Sequence, residues 1–191
     1  MAINLQKGQR IDLGFTKMTI GLGWDPNEVT GYDFDLDASA IMIDSQRKLV
    51  SEDYFVFYNN LNSPDGALTH TGDDPSGKNS DGDDDEAIMI DLEKVDSRVE
   101  EILFVVTIED YERRKQNFGQ VRNSYIRVVD QNTNIEIAKY ELDEDFSIET
   151  GIEFGRLYKK NGSWKFEASG IGYRADLSFF LEKYYNGQII K

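Results

Sequence analysis

The chain has 191 residues, no cysteine, a single histidine and a formal net charge of −15 at pH 7. Without cysteine there are no disulfides, thiolate zinc sites, iron–sulfur clusters or cysteine nucleophile, a composition that fits a reducing compartment. The negative field repels phosphate backbones, so nucleic acid is not expected as a direct partner.

The first residues, Met1 to Gly8, lack the long apolar stretch of a secretory signal, and no stretch of apolar residues is long enough to span a membrane. The expected location is the cytoplasm, with room for peripheral association with a membrane. Period-two alternation of apolar and polar residues then marks strands at 18–24, 32–43, 54–58, 87–92 and 102–108. Further strands are expected at 125–129, 135–142, 152–158 and 163–168, the last two joined by a tight Asn161-Gly162 turn. Helical signal is confined to Asp110–Gln116 and to Ala175–Tyr185, where Leu177, Phe180 and Leu181 share a side. The pattern predicts an all-β fold, a sandwich of two mostly antiparallel sheets with one or two short helices and a long acidic loop, forming one domain over 1–191.

That loop runs from Leu61 to Asp85 with no periodic apolar face. A structureless stretch of this length is usually functional or disordered. Between positions 73 and 86 it holds seven acids, Asp73, Asp74, Asp81, Asp83, Asp84, Asp85 and Glu86, against one base, Lys78. Such a run repels itself and stays solvated unless something neutralises it. Three features favour a bound cation. Gly72, Gly77 and Gly82 allow the sharp turns that wrap oxygens round an ion. The strand from Ala87 anchors the last acids. A second group, Asp33, Asp35 and Asp37, alternates along a predicted strand, so the three carboxylates share one face while Tyr32, Phe34, Leu36 and Ala38 point to the core. Asn59-Asn60 adds neutral carbonyl oxygens at the end of another strand. Hard oxygen donors in this number suit Ca²⁺ better than zinc or copper. An EF-hand is excluded, because Ala38 stands where that loop needs glycine and Asp44 where it needs glutamate.

Ordered blocks along the chain then resemble a known family. They are Gly21-Leu22-Gly23-Trp24-Asp25, Asp33-Phe34-Asp35-Leu36-Asp37-Ala38-Ser39, Phe57-Tyr58-Asn59-Asn60 with Asp65-Gly66, and His70-Thr71-Gly72-Asp73-Asp74. The acidic run into Glu86, Phe104–Ile108, Phe118-Gly119-Gln120-Val121 and Trp164-Lys165-Phe166 complete the series. Together they resemble the TerD family of tellurium-resistance and general stress proteins over nearly the whole chain. The resemblance implies a calcium-binding β-sandwich without enzymatic activity, acting in a stress-response complex with protein partners, with the inner membrane surface as a candidate place for it. It maps the loop from Asp73 to Glu86 onto the family's calcium loop, and Asp35 and Asp37 onto its Asp-Leu-Asp strand. Asp74 replaces the family's usual asparagine, and Pro75 with Asn79-Ser80 makes the loop about two residues longer. The expected ligands of two Ca²⁺ ions are thus drawn from Asp33, Asp35, Asp37, Asn59, Asn60, Asp65, Asp73, Asp74, Asp83, Asp84, Asp85 and Glu86.

Other chemistry finds little support. His70 alone builds no zinc site and reads as a hydrogen-bonded structural residue. No Gly-x-Ser-x-Gly elbow occurs, and Gly21-x-Gly23 and Gly170-x-Gly172 read as strand or turn glycines. Arg113-Arg114-Lys115 reads as a solvated turn, with contact to an anion or partner as the weaker reading. Trp24, Tyr54, Phe55, Phe57, Trp164 and Phe166 read as packing residues. The alternative function is a Mg²⁺- or Mn²⁺-dependent phosphoester hydrolase using the same carboxylates. With no thiol, the chain cannot reduce tellurite through cysteine.

Overall fold

A computed structural model describes residues 2–28, 31–78, 84–142 and 146–185. The strands, in order, are β1 (Ile3–Asn4), β2 (Arg10–Asp12), β3 (Lys17–Gly23), β4 (Leu36–Ile43), β5 (Phe55–Val56), β6 (Leu68–His70), β7 (Glu86–Asp91) and β8 (Glu101–Ile108). A four-residue helix α1 (Tyr111–Arg114) precedes β9 (Tyr125–Asp130), β10 (Ile135–Glu141), β11 (Gly151–Lys160), β12 (Ser163–Glu167) and β13 (Ile171–Tyr173). Helix α2 (Leu177–Tyr184) follows, capped by the Asp176 carboxylate on the Phe179 N–H.

Two sheets form a sandwich. A 6-stranded sheet runs β1-β10-β9-β3-β7-β6, and a 7-stranded sheet runs β2-β12-β11-β8-β4-β5 with β13 also on β11. Only the β1–β10 pair is parallel among these. Strand β9 alternates buried and half-buried residues, so one face meets the core and the other water. Strands β4 and β8 differ: every residue of both is buried. They are central strands covered on both faces, which is why Ile102–Val106 is a continuous apolar run. Across β4–β8–β11 the register aligns Ser39, Val105 and Glu153 on one face, and Asp37 opposite Thr107 and Gly151. Helix α2 covers part of that face, with Phe180 so close to Gly151 that a Cβ there would lie 2.8 Å from its ring. Phe104 and Phe154 stack at 5.8 Å within the core.

The Asn161-Gly162 turn takes φ of 53° and 78°, as a two-residue hairpin of the predicted kind requires, between Lys160 and Ser163. Three expectations need correction. The strand predicted from Tyr32 begins only at Leu36, and Tyr32 is 51% exposed. Its carbonyl and that of Asp33 are instead bound by the Gln116 amide, and the Arg113 guanidinium covers its ring. The strand predicted at 54–58 is cut to Phe55–Val56, because Phe57 and Asn60 close a turn on each other. The stretch 61–85 is not structureless: β6 lies inside it, too short at three residues to show periodicity. Strands β1, β2 and β13 are equally short and equally silent in the sequence. Among the described residues, no helix is long and apolar enough to cross a membrane.

Candidate metal site

The site grows from the place where the two sheets meet. Strand β5 is too short to pair the whole edge of β4, which leaves the backbone of Ala38 without a strand partner on that side. Buried backbone groups need partners, and two side chains from the other sheet supply them. The Glu86 carboxylate accepts from the Ala38 N–H at 2.7 Å, and His70 Nε2 donates to the Ala38 carbonyl at 2.9 Å. His70 Nδ1 accepts from the Gly72 N–H at 3.0 Å, which fixes the proton on Nε2. Glu86 also accepts from the Asp74 N–H at 3.4 Å. This clamp pins the chain after β6 against the start of β4.

The result is a carboxylate cluster. Asp35 and Asp37, at the entrance of β4, and Asp73, just past the clamp, bring one oxygen each within 4.8 Å of one another. Asp37 is 4% exposed, and among the described residues no N–H or O–H is placed on its carboxylate. Burial, reinforced by the charges of Glu86, Asp35, Glu109 and Asp73, pushes the Asp37 carboxyl up to about 9. Burial likewise raises Asp35, opposed by its hydrogen bond from Arg114 Nη1 at 3.1 Å. Thr107, opposite Asp37 on β8, adds a buried Oγ1 with no hydrogen-bond partner among the described residues. Unpaired buried carboxylate is costly unless protonated or matched by a cation. The donors are hard oxygens, so the group fits Ca²⁺ rather than a soft metal.

The other predicted ligands are placed elsewhere. Asp33 does not share the face of Asp37; it pairs with Lys78 Nζ at 2.8 Å, using the one base of the acidic loop. Asp74 accepts from the backbone of Ser76 and Gly77 in a local turn. Asp85 accepts from the Trp24 N–H at 2.8 Å. Asp84 reaches over β3 to Arg127 Nε at 2.8 Å. Asp65 closes its own turn, accepting from Ser63 Oγ and the Ala67 N–H, and holds the Asp96 N–H with its other oxygen. Asn59 is exposed at a turn, and the Asn60 amide donates to the carbonyls of Asp53 and Phe55. Glu86 is buried by the clamp itself. Asp83, with Asp81, lies outside the described residues.

A family model described as the TerD domain matches residues 1–184. The chain belongs to the TerD family. It is 46% identical to the tellurium resistance protein TerD of Serratia marcescens, over 96% of this chain and 97% of that one. It is also 45% identical to general stress protein 16U of Bacillus subtilis, over 96% and 97%. The uncharacterized protein YceE of the same organism is 50% identical over 96% of this chain and 98% of its own. Among solved structures, a protein of unknown function superimposes with a TM-score of 0.74 at 25% identity, covering 88% of this chain and 95% of that one.

In this TerD-family chain three contributors went unseen in the sequence. Glu109 follows β8 and bonds through its N–H to the Asp35 carbonyl, adding charge to the cluster. Arg114 comes from the basic island, and Thr107 from a run that reads as core. Each needs the β4–β8 pairing to be placed. The glycines also have a definite reason. A Cβ on Gly21 would overlap the Asp84 carboxylate, and one on Gly77 would lie 2.6 Å from Trp24 Nε1. Gly21→Ala is therefore expected to displace Asp84 from Arg127 and to lower stability by about 1–3 kcal/mol, read by thermal unfolding. An unchanged melting temperature would show that Asp84 has another resting place.

Proposed function

We propose that this chain is a non-enzymatic calcium-binding protein of a stress response, in which Ca²⁺ neutralises the Asp35–Asp37–Asp73 cluster and fixes the acidic loop. The observation that carries this reading is the Asp37 carboxylate, buried, with no donor on it among the described residues, and faced by other acids. A divalent cation there converts repulsion into attraction, and Ca²⁺ accepts the six to eight flexible oxygen contacts that such a loop can offer. A role in stress defence is supported by relatives named for tellurium resistance and general stress. The ordered loop would then serve as a contact surface for a protein partner, in the cytoplasm or at a membrane surface. Ligands gathered in the fold are scattered in the unfolded chain, so binding also stabilises.

The test is a calorimetric titration of chelator-stripped protein with Ca²⁺, with Mg²⁺ as control, alongside melting temperature. Saturable calcium binding with a raised melting temperature supports the proposal. No binding, or a larger response to Mg²⁺ with turnover of phosphodiesters, overturns it. A pH series adds a signed prediction. The native Asp37 carboxyl holds its proton up to about 9, whereas the unfolded one loses it near its ordinary value of 3.8. Between those values the unfolded chain binds fewer protons, so the stability of the metal-free protein should fall as pH rises from about 4 to 9. Calcium expels the same proton, so calcium affinity should rise over that window, measurable as buffer-dependent binding heats.

A further inference from the structure

Helix α1 lies between two residues in the left-handed region, Asp110 at φ 54° and Lys115 at φ 55°. Neither is glycine, so each keeps that conformation at a cost and only while its surroundings enforce it. Three side chains tie this segment to the stretch before β4. The Arg113 guanidinium lies 4.9 Å from the Tyr32 ring centroid, Gln116 Nε2 donates to the carbonyls of Tyr32 and Asp33, and Arg114 Nη1 donates to the Asp35 carboxylate at 3.1 Å. The last contact differs in kind. The Arg114 and Asp35 side chains are 17% and 12% exposed, so water screens their pairing little. Among the described residues Asp35 is the one ion-pair partner of Arg114, and it is also one of the three carboxylates of the candidate metal cluster. A positive charge of the chain itself therefore holds a carboxylate that the proposed ion needs.

We propose, resting on the calcium site of the previous section, that Arg114 is a tethered competitor of the bound cation. It neutralises Asp35 in the empty site and is displaced when Ca²⁺ enters, which sets the affinity and couples occupancy to α1 and Tyr32. A purely orienting role for Arg114 is disfavoured by the backbone. Asp35 immediately precedes β4, its carbonyl accepts from the Glu109 N–H at 2.9 Å, and Leu36 beside it pairs with Ile108. The carboxylate is thus rooted without the guanidinium, and what Arg114 adds is a charge that repels a divalent ion across a poorly screened gap. Ca²⁺ also takes six to eight oxygens, often both of one carboxylate, which leaves little room for a guanidinium on the same group. Once Arg114 is released, one of the three ties that hold the strained ends of α1 is gone.

The experiment is calorimetric titration with Ca²⁺ of three chelator-stripped proteins: wild type, Arg114→Gln and Arg114→Lys. Arg114→Gln should bind calcium about tenfold more tightly than wild type, while Arg114→Lys, which keeps the charge, should stay within about twofold. In chelator Arg114→Gln should melt about 3–6 °C lower, because Asp35 stays buried without its partner, and calcium should raise it by more than it raises wild type. Hydrogen exchange on wild type gives a second arm that needs no variant. The Arg114 and Gln116 amides, bonded to the carbonyls of Asp110 and Tyr111, should exchange about threefold faster or more in calcium than in chelator. Equal or weaker binding in Arg114→Gln, or unchanged or slower exchange at those amides, would overturn the competitor role and leave the calcium site standing. Calcium binding by neither wild type nor Arg114→Gln would remove the site itself, and the competitor with it.

Discussion

Asp37→Asn should make the metal-free protein more stable while removing its response to calcium. The two effects have opposite sign because the carboxylate is a burden without a cation and a ligand with one. In the metal-free fold, Asp37 is 4% exposed and faces Asp35, Asp73, Glu86 and Glu109. Holding it there at neutral pH costs either its charge or its proton, a cost of a few kcal/mol when a carboxyl is pushed up to about 9. Asparagine has nearly the same shape, carries no charge, and its amide can donate to the neighbouring carboxylates. A gain of about 1–3 kcal/mol in chelator is expected. In calcium, the same change removes the most buried anionic ligand of the cluster, and affinity should fall by about a hundredfold or more. Melting curves in chelator and in calcium give both numbers from one preparation. A variant that is destabilised in chelator and keeps its calcium shift would mean that Asp37 is held by donors of its own and is no ligand.

Much of this arrangement was legible in the sequence, because period two is a direct consequence of the pleat. The long strands β3, β7, β8, β9, β10, β11 and β12 follow from it within a residue or two. Strands of two or three residues, such as β6 at Leu68–His70, carry no period to read, yet β6 brings His70 to the sheet junction. At the site, the acids were legible as a set but their partners were not. A carboxylate in sequence looks the same whether it faces a backbone N–H, as Asp74, Asp85 and Asp65 do, or faces other carboxylates, as Asp37 does. Asp65, ahead of Gly66, reads in sequence with the other acids as a ligand but takes a local turn role, accepting from the backbone two residues on. Asp33 shows the limit of alternation: the pattern runs on to Tyr32, but the strand stops at Leu36 and Asp33 turns to Lys78.

Glu86 tests the distinction between a residue that binds the cation and one that builds the place for it. Its carboxylate is 1% exposed and joins the two sheets, accepting from the Ala38 N–H of β4 and from the Asp74 N–H of the loop, with His70 Nε2 at 3.6 Å. Burial raises its carboxyl, and the neighbouring His70 ring and the hydrogen bond from Ala38 pull it back, so the group is one the fold holds rather than one it merely tolerates. Glu86→Ala would leave two buried N–H groups unmet and open a cavity between the sheets. The expected loss is about 3–5 kcal/mol in chelator, or roughly 10 °C in melting temperature for a chain of this size. Glu86→Gln keeps an acceptor for Ala38 and should lose much less, about 1 kcal/mol. Because the clamp positions Asp73, calcium affinity should fall in the alanine variant as a consequence of the lost fold. If Glu86→Ala instead kept full stability in chelator and lost only the calcium response, Glu86 would be a ligand and the junction would be held by His70 alone.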